Sequence, residues 1–77
     1  MAEKNVIHEI YVYVTDDKDG EGVTGFLSGD TWIAMIGADV ERAQSLEPIA
    51  QQIARQSGQP VRLLKFSVRE ELKVIEP

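Results

Sequence analysis

Three aspartates in the stretch DDKDGEG, Asp16, Asp17 and Asp19, are the densest set of potential metal ligands in the chain. A calcium loop asks for Asp at positions 1, 3 and 5, Gly at 6 and Glu at 12, because a hard cation needs many oxygens at fixed spacing. With Gly20 at the sixth position, Asp19 and Asp17 take the fifth and third, but Thr15 falls at the first and Phe26 at the twelfth. The bidentate glutamate is missing, so the stretch reads as a solvated hairpin turn. His8 and Glu9 form the next candidate, a general base beside a carboxylate. Adjacent residues on a strand point to opposite faces, so these two cannot pair. With one His and no Cys, any metal site would have to be mostly carboxylate. A carboxylate-based enzyme would draw on Glu9 and Asp30.

No Ser lies in a nucleophile elbow, and the glycines follow no phosphate-binding pattern. Gly37-Ala38-Asp39 would offer a helix N-terminus to an anion, but Asp39 occupies that position. Trp32, Tyr11 and Tyr13 have the chemistry of a base-stacking platform. The formal net charge of -5 opposes that use, since affinity for nucleic acid rests on neutralising phosphates. The residues assign no catalytic, metal or cofactor site. The expectation is a non-enzymatic protein without a nucleic-acid partner.

The elements that would position these residues follow from the apolar spacing. A strand over residues 6–15 carries Val6, Ile10, Val12 and Val14 on one face and Ile7, Tyr11 and Tyr13 on the other. A second strand, residues 23–28, follows the acidic turn, and Gly25 inside it marks a bulge or a close backbone approach. Gly29-Asp30 turns into a third strand over 31–36, again apolar on both sides. Ala43, Leu46, Ile49, Ala50, Ile53 and Ala54 then recur at helical spacing. Asp39 is the expected N-cap and Gly58 the expected C-terminal stop. Pro48 predicts one turn at 39–45 and a main helix at 46–57, either separate or joined through a kink. A fourth strand covers 61–66. Ser67-Val68-Arg69-Glu70 matches a capping box, and Val68, Leu72 and Ile75 predict a short C-terminal helix, with an extended tail at 73–75 as the alternative.

The order β-β-β-α-β-(α) predicts one α+β domain over residues 1–77, with 1–5 frayed. A right-handed crossover would set the fourth strand parallel to the third, giving a four-stranded mixed sheet of order 3-2-1-4 with one main helix on one face. That order makes the first strand central. One helix covers one face, and a chain this small needs something added to its core. Disulfides are ruled out by the absence of Cys. A second copy is the simplest cover, so the sequence predicts a homodimer, anchored by Tyr11, Tyr13, Phe26, Ile33 and Met35, since aromatic residues and Met favour interface cores.

The N-terminal stretch has no signal-peptide pattern, and no stretch is apolar enough to span a membrane. The expected location is the cytoplasm. Residues 1–57 hold a net charge of -6 and residues 58–77 a net of +1. The bases Arg62, Lys65, Arg69 and Lys73 alternate with glutamates, as on a solvated, salt-bridged surface.

The strand–helix order, together with Tyr13-Val14-Thr15-Asp16-Asp17-Lys18-Asp19-Gly20, resembles the reduced ribonuclease H-like fold of HicB-type antitoxins, where acids and Gly follow an apolar first strand. The resemblance implies that topology and a regulatory protein partner. It implies no nuclease site, because the first strand has Glu9 but no Asp and the fourth ends Lys65-Phe66-Ser67.

Overall fold

The computed structural model describes residues 6–77; the expectation for residues 1–5 lies outside them. The described residues are α+β with one helix and antiparallel sheets. Its order is β1 (Ile10–Asp17), β2 (Gly20–Val23), β3 (Gly25–Ser28), β4 (Thr31–Ala34), β5 (Ile36–Gly37), α1 (Val40–Ser57) and β6 (Arg62–Phe66).

β1 is central, as its two apolar faces require. On one edge it pairs with β2 through Val14↔Val23 to Asp17↔Gly20, and with β5 through Tyr11↔Gly37 and Val12↔Ile36. On the other edge it pairs with β6, from Ile10↔Phe66 to Val14↔Arg62. All three pairings are antiparallel. The order 3-2-1-4 and the mixed sheet are therefore corrected. β5 and β6 do run parallel to each other, as a strand–helix–strand unit should. β1, however, runs against both and lies between them. The ribonuclease H-like topology, with its first and fourth strands parallel, fails on the same pairing.

The cause of the discrepancy sits at Thr24 and Met35. The second and third strands of the expected meander do not stay in the sheet. They leave it together as a separate hairpin, β3–β4, paired from Gly25↔Ala34 to Ser28↔Thr31. Where they leave, three peptide groups close a ring. Tyr13 N–H donates to Met35 O at 3.1 Å, Met35 N–H to Thr24 O at 2.8 Å, and Thr24 N–H to Tyr13 O at 2.8 Å. Each residue gives one bond and accepts one, so the strands part without stranding a buried backbone group. The Cβ that a larger residue would add at Gly25 would lie 3.3 Å from Ile33 O and 3.4 Å from the Trp32 ring. The expected close approach at this glycine is the Trp32 side chain crossing it.

α1 is one continuous helix containing Pro48, not two pieces. Asp39 caps it by accepting from Arg42 N–H at 2.7 Å, and Gly58 closes it at φ 73°, donating to Ala54 O at 2.9 Å. A positive φ costs glycine little and other residues more. Ala43, Leu46 and Ala50 are buried on the face toward the sheet. The core comprises Tyr13, Met35, Leu46 and Ala50, with Phe26, Ile49, Ile53 and Val61 packed around it. Pro48 removes the donor that would serve the Gln44 carbonyl, at a cost of about 3 kcal/mol in an isolated helix. Packing of this apolar face overrides it, since helices in proteins are held mainly by tertiary contact.

Residues 67–77 form neither helix nor ladder strand. The expected C-terminal helix is absent: Val68, Leu72, Val74 and Ile75 are all exposed. Two turns of isolated helix cannot recover the nucleation cost without an apolar surface to bury against.

Candidate interaction surface

Alternation along β1 divides its side chains between two environments. Tyr11, Tyr13 and Thr15 face the helix side, and the Tyr13 hydroxyl donates to Ala43 O at 2.6 Å. Ile10, Val12 and Val14 face away. Residues directly opposite across a ladder share a face, so Phe66, Leu64, Ile36 and Val23 lie on this second side too. Val12 and Val14 are buried, although no helix covers them. Val12 lies between Leu64 and Ile36, and Val14 between Arg62 and Val23. Ile36, Val23 and Arg62 are open to solvent, as are Ile10 and Phe66 beside them.

The same alternation runs into the hairpin. Thr24 and Met35 are buried toward the core, and Phe26 packs against it. Leu27 and Trp32, opposite each other in β3–β4, therefore continue the outward face. Trp32 is 69% exposed, and Leu27 is exposed as well. The uncovered surface runs from Phe66 across β1 to Ile36 and Val23, then along the hairpin to Trp32.

Ion pairs frame it. At one end the Arg62 guanidinium donates to both carboxylate oxygens of Asp16, at 3.0 and 2.7 Å, and to Glu21. These bonds hold the Arg62 pKa above its usual value. On the helix side, Tyr11 donates to Glu9 at 2.9 Å, and Lys65 Nζ lies 3.2 Å from the same carboxylate. The Tyr11 bond and then the Lys65 bond lower the Glu9 pKa; the Glu9 bond raises those of Tyr11 and Lys65. Burial, with a smaller contribution from Glu47, raises the Tyr13 pKa.

Of the five residues expected to anchor an interface, Tyr13 and Met35 are core beneath the helix, and Phe26 packs against them. Tyr11 is half-buried and bonded to Glu9, and Ile33 is half-buried in the hairpin. The aromatic face of β1 is the covered one. The open face is built from Val, Ile, Leu and Phe, with Trp32 at its far end. Periodicity defines both faces of a strand but not which of them a helix takes.

The residues considered for chemistry are dispersed. Asp17 accepts from Asp19 N–H at 2.7 Å, which closes the turn, while Asp16 is held by Arg62. Asp30 sits in the β3–β4 turn, and Glu9 precedes β1. His8 lines a cleft of about 270 Å³ between residues 7–10 and 66–70. Among the described residues, no cluster of three or more His, Cys, Asp or Glu is placed to hold a metal ion. No helix among them is long and apolar enough to cross a membrane. No protein-family model matches the chain, and comparison with curated proteins and with solved structures yields no significant match.

Proposed function

We propose that this chain is a small, non-enzymatic protein–protein interaction module of the cytoplasm whose partner is a second copy of itself, docked through the face of β1, β5 and β6 opposite the helix. One observation carries the proposal: Ile10, Val23, Ile36 and Phe66 are exposed together on the sheet face opposite α1, and no element among the described residues covers it. A monomer seldom leaves a contiguous apolar patch larger than a few hundred Å². A second copy supplies a matching patch, because a two-fold interface pairs the same surface with itself. A chain without cysteine is compatible with a reducing cytoplasm.

Sedimentation equilibrium of the full chain at micromolar concentration tests the proposal. It expects a mass twice 8.6 kDa, falling toward the single-chain mass on dilution. A single-chain mass at every concentration rejects it.

A further inference from the structure

The hairpin β3–β4 and the strand β6 lie on opposite edges of β1. β2 and β5, which flank the hairpin in the chain, pair with one edge, and β6 pairs with the other. Each of the two elements carries an exposed aromatic residue on the side away from α1. On the hairpin it is Trp32, with exposed Leu27 opposite it. The indole crosses Gly25, where an added Cβ would lie 3.4 Å from its Cε3, and the rest of the ring is open to solvent. On β6 it is Phe66, next on that face to half-buried Leu64. Trp32 is the only tryptophan in the chain. Tryptophan is the residue type most often found as an interface anchor.

The charges on the two elements are of opposite sign. Residues 24–35 hold one charged side chain, Asp30, in the hairpin turn. From Arg62 to Arg69 every charged side chain is basic: Arg62, Lys65 and Arg69. Arg62 pairs with Asp16 and Glu21, Lys65 pairs with Glu9, and Arg69 has no ion pair among the described residues. Two sheets docked face to face can be related by a two-fold axis across the strands or along them. An axis across the strands sets each edge over its own copy, so hairpin meets hairpin and Asp30 meets Asp30. An axis along the strands sets each edge over the other, so hairpin meets β6. Like charges brought together oppose a docked pose, and unlike charges favour it.

We infer that Trp32 of each copy packs on Leu64 and Phe66 of the other, around a two-fold axis that runs along β1. The inference rests on the proposed self-association through this face and names its anchor and its symmetry. The contact occurs twice, as a two-fold axis requires. Each occurrence covers two aromatic side chains that a single chain leaves in water, and Trp32 with Phe66 gains the interaction of an aromatic pair beyond the area buried. The acidic hairpin turn then lies on the basic side of the opposite copy.

A single tryptophan reports on this contact in the full chain without any substitution. Across a dilution series followed by sedimentation, Trp32 emission should lie at shorter wavelength in the dimer and move to longer wavelength as the mass falls to that of one chain. In dimers of labelled and unlabelled chains, the indole should give intermolecular NOEs to Leu64 and Phe66. Trp32→Ala should weaken the dimer at least about tenfold. Dimeric mass with emission unchanged on dilution, or a Trp32→Ala dimer as tight as the parent, overturns the inference and leaves face-to-face association standing. Intermolecular NOEs from the indole to Leu27 or Trp32 place the axis across the strands and also overturn it. A single-chain mass at every concentration overturns both the inference and the self-association beneath it.

Discussion

The Tyr13 hydroxyl donates to the carbonyl oxygen of Ala43 at 2.6 Å, tying the centre of β1 to the second turn of α1 across thirty residues. This bond, with the packing of Tyr13 against Leu46 and Ala50, lies on the face of the strand that the helix takes. With Tyr13 held under the helix, alternation turns Val12, Val14 and their cross-strand neighbours outward. The uncovered face follows from that choice.

Replacing Tyr13 by Phe keeps the ring and deletes the donor. The expected loss is about 1–2 kcal/mol of unfolding free energy, read from urea denaturation at fixed protein concentration. The pH response has a definite sign. Burial raises the Tyr13 pKa above its ordinary 10.0, so its stabilising contribution is complete below that value and disappears as pH rises through the folded-state pKa. The alkaline loss of stability should be shallower in Tyr13→Phe. An identical alkaline limb in both proteins would show that another group governs it.

Thr24 is buried at the strand junction, and its Oγ1 has no hydrogen-bond partner among the described residues. Thr24→Val removes an unsatisfied hydroxyl and conserves shape, while the backbone ring through Tyr13 and Met35 is untouched. Thermal unfolding should show a gain of about 1 kcal/mol. A loss of similar size would mean that the hydroxyl is bonded in solution.

Gly37 lies in β5 against the first turn of α1. A Cβ there would lie 2.8 Å from Arg42 Cγ and 3.1 Å from the Ala43 nitrogen. The arginine can move, but the helix backbone cannot move without shifting Tyr13's acceptor. Gly37→Ala should cost about 1–3 kcal/mol, measured by chemical denaturation; a change near zero would show that α1 sits further from β5.

The bond from Tyr11, followed by that from Lys65, holds the Glu9 carboxyl below its ordinary 4.5. A carboxylate stabilised in this way contributes above pH 4.5, and the contribution is lost as pH falls through the lower, folded-state value. NMR titration should place the Glu9 midpoint below 4.5, and Tyr11→Phe should raise it. No movement in that variant would assign the shift to Lys65 alone.

Much of this architecture is legible in the sequence because local and global preferences agree. Asp39, Gly58 and the Ala43–Leu46–Ala50 face mark the helix, and the two apolar faces of residues 10–14 mark a central strand. Three features are not legible. Pro48 signals a break that packing overrides. The departure of β3–β4 turns on Thr24 and Met35, whose side chains carry no sign that backbone groups from three strands meet there. Residues 68–75 satisfy two periods at once: Val68, Leu72 and Ile75 fit a helix, while Val68, Leu72 and Val74 fit a strand. With no surface to pack against, the segment takes up neither.

The central claim is that two chains meet on the face opposite the helix. The most direct measurement mixes isotope-labelled and unlabelled chains and records only the intermolecular NOEs. The account predicts contacts among Ile36, Leu64 and Phe66 across the two-fold axis. Intermolecular contacts confined to the polar side of α1, at Gln51 and Arg55, would contradict it.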